Sequence, residues 1–235
     1  MINLLIASTS TVHGSGYLEY LIDEVKHFFK GSENIVFVPF ARPGGISWDK
    51  YTEVAKEGFK KAGLNLTGIH EGESMDEKLD QADGIFVGGG NTFVLLNTLY
   101  EKNLIGKIQD KLRSGTPYMG TSAGSNILGK SIRTTNDMPI VYPPTFDAIQ
   151  AVPFTINPHY IDPDPSSKHM GETRETRIKE YLEFNEGYVV GLREGSYLHV
   201  QGNSIELKGA LSTRIFHKSE IKEYEPGESL QFLLQ

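Results

Sequence analysis

Apolar residues fall along this chain in short dense runs, separated by stretches where they recur every three or four positions. The dense runs Asn3–Ser8, Ile35–Pro39, Leu64–Ile69, Gly84–Val87 and Pro117–Thr121 predict buried strands. Between them, Leu18–Phe29, Ser47–Ala62, Met75–Ala82, Thr92–Tyr100 and Leu104–Arg113 predict helices. In the second of these, Tyr51, Val54, Ala55, Gly58 and Phe59 share one face, and Ser47 is placed to cap the start. Strands of this kind alternating with helices point to a parallel sheet covered by helices. Such a sheet carries its chemistry beyond the carboxyl ends of its strands.

The pattern changes after about residue 130. Segment 131–158 holds several prolines and no helical period, which predicts irregular chain with a strand-like run at Val152–Ile156. Thr173–Phe184 predicts one more helix, with Ile178, Tyr181 and Leu182 on its apolar side. Short strands are expected at Tyr188–Leu192, Tyr197–Val200, Ser204–Leu207, Arg214–Phe216 and Gln231–Leu234. The expected fold is therefore α/β, a parallel-core mixed sheet flanked by helices with antiparallel C-terminal strands. No repeat, low-complexity segment or linker divides the chain, so residues 1–235 read as a single domain.

Composition narrows the function classes. Of 235 residues, 38% are hydrophobic and 23% charged, enough to build a core and too apolar for wholesale disorder. The absence of cysteine excludes disulfides and thiolate metal sites. A formal net charge of −7 with no basic run argues against nucleic acid as a partner. No apolar stretch approaches the roughly 20 residues that span a bilayer. Met1-Ile2-Asn3 leads straight into the first strand without a basic segment, so a cytoplasmic protein away from membranes is expected.

The most informative stretch is Gly120-Thr121-Ser122-Ala123-Gly124, a Gly-x-Ser-x-Gly between a predicted strand and a predicted helix start. Flanking glycines permit the sharp turn that lifts a serine hydroxyl clear of a sheet, with the amide of Ala123 beside any developing oxyanion. With this much glycine a chance match is expected roughly 0.2 times per sequence, so the strand-to-helix context is what gives the motif weight. Gly88-Gly89-Gly90 follows another predicted strand. Gly89 or Gly90 can supply the second oxyanion donor, since the lysine and Gly-x-Gly-x-x-Gly of phosphate loops are missing.

A serine nucleophile needs a base, and seven histidines are available. His27 and His70 read as surface residues, His169 as solvated, and His199 and His217 as structural or exposed. His159, stiffened by Pro158 after a strand-like run, is preferred modestly over His13 in its glycine-rich loop. Two acids can orient the imidazole: Asp137, soon after the elbow, and Glu194, at the end of a predicted strand. Spacing alone does not choose between them.

These segments resemble the peptidase E family of α-aspartyl dipeptidases. The resemblance is carried in order by Val87-Gly88-Gly89-Gly90-Asn91-Thr92-Phe93, Ser122-Ala123-Gly124, residues 132–141 (IRTTNDMPIV), Ile156-Asn157-Pro158-His159 and Gly171-Glu172-Thr173-Arg174-Glu175. It implies a fold similar to class I glutamine amidotransferases, with serine where those enzymes carry cysteine. It implies a Ser122–His159 pair with an acidic third member, Asp137 placed slightly ahead of Glu194. It also implies dipeptide substrates with an N-terminal aspartate, no cofactor or metal, and a monomer or homodimer. Arg133 and Arg174, inside matched segments, are the expected partners for the substrate's side-chain carboxylate. Thr121 departs from the aromatic residue some members carry before the serine. The rival readings are a cyanophycinase-like peptidase acting on β-aspartyl bonds and a binding protein that keeps the fold without turnover.

Overall fold

The computed structural model describes all residues but 73, 167 and 169. Its larger sheet has seven strands, and the parallel part is built from β1 (Asn3–Ala7), β2 (Ile35–Val38), β3 (Leu66–Gly68), β4 (Gly84–Val87) and β5 (Tyr118–Thr121), in the order β3-β2-β4-β5-β1. Two later strands, β8 (Ser196–Gln201) and β9 (Ser204–Gly209), continue it antiparallel beyond β1. The second sheet holds β6 (Thr155–Pro158), β7 (Tyr188–Leu192), β10 (Thr213–His217) and β11 (Glu220–Tyr224), in the order β11-β10-β7-β6. Only the β6–β7 pair in it is parallel.

Alternation along the buried parallel strands sorts their side chains onto two faces. Leu5, Phe37, Phe86 and Met119 pack beneath α1 (Ile22–Phe28) and α2 (Trp48–Lys61). Leu4, Val36, Ile85 and Tyr118 face the opposite core, shared with α3 (Met75–Gln81), α4 (Thr92–Glu101), α5 (Leu104–Arg113) and inner residues of the second sheet, such as Ile156 and Val190. Side-chain caps start the helices where the sequence offers them: Ser47 accepts from Lys50 N and Asn91 accepts from Val94 N. On α2 the buried stripe takes Thr52 in place of the expected Val54.

The expected parallel core and antiparallel C-terminal strands are both present, with three differences of detail. The C-terminal strands divide between two sheets. Gln231–Leu234 is a 3₁₀ turn rather than a strand, and its Phe232 packs edge-on against Tyr188, 5.4 Å between ring centres. Strand β11 escaped prediction because Glu220-Ile221-Lys222-Glu223-Tyr224 carries the charges that protect an edge, which read as loop. Among the described residues no helix is long and apolar enough to cross a membrane.

The core's weight rests on rings. Phe86 is fully buried, with the rings of Phe37 and Phe59 centred 5.0 and 5.1 Å away. Phe86→Ala should cost about 3–5 kcal/mol. Urea unfolding followed by tryptophan fluorescence will show a lower midpoint with an unchanged slope.

Candidate active site

Strands β1, β4 and β5 end side by side, and the loops beyond them meet around Ser122. Strand β5 turns sharply into the single helical turn α6 (Ala123–Asn126), shorter than the sequence suggested. Ser122 occupies the bend with φ 53° and ψ −114°, a conformation that L residues rarely adopt. Glycine on either side is required by contact as well as by angle. A Cβ on Gly120 would lie 2.4 Å from the carbonyl oxygen of Gly124, and one on Gly124 would lie 2.2 Å from that of Val87. The bend is pinned from β1: the carbonyl of Ala7 accepts Ser122 N–H at 3.2 Å and the Ser125 hydroxyl at 2.7 Å.

Opposite the bend, Gly89 faces Ser122 so closely that a Cβ on it would sit 2.9 Å from Ser122 Cβ. Gly90 has φ 145°, and a side chain there would collide with the carbonyl of Ala41. Asn91 N–H donates to that same carbonyl at 2.7 Å. Among the described residues, the N–H groups of Gly89, Gly90 and Ala123 have no acceptor, which leaves them free for a developing negative charge. The buried Tyr51 hydroxyl donates to the Gly89 carbonyl at 3.2 Å, holding the peptide whose other end is Gly90 N–H.

His159 follows β6, and its Nε2 lies 2.7 Å from Ser122 Oγ. Its Nδ1 lies 2.6 Å from Glu194 Oε1, just past the end of β7. A carboxylate only accepts, so Nδ1 carries the proton and Nε2 is left to accept from the serine hydroxyl. The arrangement can therefore draw the proton from Ser122 and stabilise the imidazolium that results.

Asp137 does not touch His159. Its Oδ2 accepts from Thr92 N at 2.7 Å, Thr92 Oγ1 at 2.6 Å and Thr135 Oγ1 at 3.0 Å, at the start of α4. Of the two acids, the carboxylate that meets His159 in this geometry is that of Glu194, not that of Asp137, which the sequence placed slightly ahead. The loop carrying Asp137 is stitched to β6 by Thr134 Oγ1, which donates to the carbonyl of Ile156 at 2.9 Å, and by Asn136 Nδ2, which donates to that of Pro158 at 2.7 Å.

The two expected arginines separate. Arg133 is exposed and donates to Asn185 Oδ1 at 3.0 Å. Arg174, the first residue of α7 (Arg174–Phe184), is half-buried and forms no ion pair among the described residues. Burial pushes its guanidinium below the ordinary value, as does Arg177 nearby, while Asp137 opposes them. A cavity of about 390 Å³ opens beside it, lined by Arg174, Arg177, Thr173 and Asp162 among others. Arg177 and Tyr51 were not singled out in the sequence, where an arginine on a helix and an aromatic on an amphipathic face carry no distinguishing signal.

Among the described residues, the other histidines stay away from the hydroxyl. His13 and His27 are exposed, His217 stacks on Tyr188 at 4.4 Å, and His199 packs against Phe28. His70 is not the surface residue expected: its side chain is only 10% exposed and Nε2 lies 3.0 Å from Asp49. His169 lies outside the described residues. No group of three or more His, Asp or Glu among the described residues is arranged to hold a metal ion.

A model of Peptidase family S51 matches residues 4–208. A Streptomyces coelicolor protein named Peptidase E is 47% identical over 233 residues, 99% of this chain and 95% of that one. A Drosophila melanogaster protein named "Probable alpha-aspartyl dipeptidase" is 44% identical over 237 residues, covering 99% and 98%. The crystal structure of a peptidase from an acI-B1 Actinobacterium superposes with a TM-score of 0.72 over 98% of this chain and 97% of its own, at 17% identity. That likeness speaks for the fold.

Next to Glu194, Arg193 clamps the chain that follows His159. Its Nε and Nη2 both donate to Asp162 at 2.8 Å, and Nη1 meets Glu223. Hydrogen bonding from Arg193, opposed by burial, holds the Asp162 carboxyl below its usual range. A depressed folded value means stabilisation that is complete above the unfolded value, near pH 4, and lost as pH falls through the folded one. The melting-temperature gap between wild type and Arg193→Ala is therefore expected to be widest near neutrality and to shrink below about pH 4. Calorimetry across that range checks the sign.

Proposed function

Since this chain belongs to peptidase family S51, we propose that it removes an N-terminal aspartate from dipeptides through an acyl-enzyme on Ser122. The observation that supports this most is the continuous chain of hydrogen bonds from Ser122 through His159 to Glu194, facing amides without acceptors. His159 Nε2 takes the hydroxyl proton as Ser122 Oγ adds to the peptide carbonyl, and the negative oxygen settles on the amides of Ala123 and Gly89 or Gly90. The imidazolium, paired with Glu194, then gives its proton to the departing amine, and the C–N bond breaks. Water enters, surrenders a proton to His159 and releases free aspartate from the ester. No step needs a metal or an organic cofactor.

Arg174 is the favoured partner for the substrate's side-chain carboxylate. It is half-buried, without an ion pair among the described residues, and flanked by a cavity large enough for a small peptide. The cost of burying such a cation is recovered when a carboxylate arrives. Asp137, whose carboxylate accepts from the start of α4, favours the charged form of Arg174 against the effect of burial. Arg133 is assigned no direct contact with substrate. The chain works as one unit in this reading, because nucleophile and base come from different sheets, and its expected location is the cytoplasm.

Steady-state hydrolysis of Asp-Leu, Leu-Leu, β-Asp-Leu and a longer Asp-initiated peptide tests the reading. Asp-Leu should be cleaved selectively, with kcat falling by about 10⁵- to 10⁶-fold in Ser122→Ala. Glu194→Gln should lower kcat by roughly 10³- to 10⁴-fold with the fold intact. Turnover of β-Asp-Leu in place of Asp-Leu would move the assignment to isoaspartyl peptides, and no turnover of any peptide would remove it.

The contribution of Tyr51 is separable. Tyr51→Phe removes only the hydroxyl that steadies the Gly89–Gly90 peptide, so kcat should fall by about tenfold while KM holds, less than the loss of a whole oxyanion donor. Kinetics on Asp-Leu at fixed pH measure it.

A further inference from the structure

Resting on the catalytic reading above, we infer that Ser8 is a positioning residue, whose buried hydroxyl keeps His159 and Glu194 in register with Ser122. Ser8 is the first residue beyond β1 and has no exposed surface. Its Oγ donates to the carbonyl of Leu192 at 2.7 Å and accepts His159 N–H at 2.9 Å. Its own N–H donates to the carbonyl of Ser196 at 3.1 Å. Leu192 and Ser196 lie two residues on either side of Glu194, so Ser8 grips both ends of the turn that presents the carboxylate. Ala7, immediately before it, grips the Ser122 bend. Two consecutive residues thus join the nucleophile of one sheet to the base and acid of the other.

The need for such a clamp follows from the backbone of His159. With φ 53° it sits in the left-handed region, which a residue bearing a side chain leaves readily unless held. Ser8 Oγ is the acceptor for its N–H. The carbonyl of Leu192 keeps a second donor, Tyr160 N–H at 3.1 Å, so the strand end survives loss of the hydroxyl better than the His159 peptide does. Without the hydroxyl, His159 N–H loses its partner and the backbone can relax toward negative φ. That swings the ring away from contacts of 2.7 and 2.6 Å that must hold together. The sequence carried one faint sign of this, the polar run Ser8-Thr9-Ser10-Thr11 directly after an apolar strand.

The test compares wild type, Ser8→Ala, Glu194→Gln and the double variant by two readouts: kcat and KM on Asp-Leu, and the rate at which a fluorophosphonate probe labels Ser122. Ser8→Ala should lower kcat and the labelling rate by about 10- to 100-fold with KM within about twofold. In the Glu194→Gln background the same change should cost less than about threefold, because the alignment it protects has already lost its partner. Ser8→Ala activity within twofold of wild type would overturn the inference. So would equal fold losses in both backgrounds, the mark of a purely structural seam. Should Ser8→Ala fail to fold, Ser8→Cys enters the same cycle, since it keeps the volume and replaces the acceptor by a weak one. Labelling of wild type without hydrolysis of Asp-Leu would sink the substrate assignment alone, and the labelling rates would still decide the role of Ser8.

Discussion

One main-chain carbonyl, that of Ala7, accepts two hydrogen bonds from the bend that carries Ser122, and the site is organised around that hold. A serine at φ 53° and ψ −114° stores backbone strain of order 1–3 kcal/mol, which persists only where the surroundings leave no alternative. Here they leave none. Ala7 pins the bend from one side, the Gly89 backbone presses on it from another, and Gly120 and Gly124 allow main chains to approach where a methyl group would not fit. The bend presents the hydroxyl to His159 Nε2, 2.7 Å away, with the Gly89 backbone packed against the Ser122 side chain. The position of Ser122 is a property of strand ends rather than of a flexible loop, so in the proposed reaction little reorganisation remains to be done when charge develops.

The second sheet has a distinct task. Parallel pairing of β6 with β7 sets Pro158 opposite Leu192, so the chains emerging from them run on together. His159 and Glu194 emerge within hydrogen-bond reach for that reason, although 35 positions separate them. Neither is deeply buried: the His159 side chain is 34% exposed and that of Glu194 50%. Rigidity has to come from the backbone, and it does. Ser8 ties both flanks to β1, and Arg193 ties the following segment to Asp162 and Glu223.

Much of this was legible in the sequence wherever the signal was local. The elbow is a pentapeptide whose glycines answer to contacts within a few residues, and the Gly88–Gly90 loop is equally compact. The parallel core shows itself because strands buried on both faces are apolar throughout. The choice of acid was illegible because it depends on the register between β6 and β7, which no spacing encodes. Asp137 attracted notice by its closeness to the elbow, but Thr92 and Thr135 engage the oxygen that faces them. Ser8 and Tyr51 act through single hydroxyls at long sequence distance, and in the sequence they look like a strand end and a helix-face aromatic.

In the proposed reading, the division between sheets and helices also separates chemistry from recognition. Ser122, His159, Glu194 and the oxyanion amides all lie at strand ends or on the first turns that leave them, where pairing fixes position. Arg174 lies at the head of α7, whose apolar side packs through Ile178 onto Tyr160, Val189 and Phe216. On that helix Glu175 pairs with Arg214, and Arg214 Nε bonds Glu223, the carboxylate that also meets Arg193 beside Glu194. Helix α7 and the residue beside Glu194 are thus linked through one surface ion network. Charge networks of this exposure contribute little to global stability. Their effect is geometric: they fix where the head of α7 sits against the second sheet.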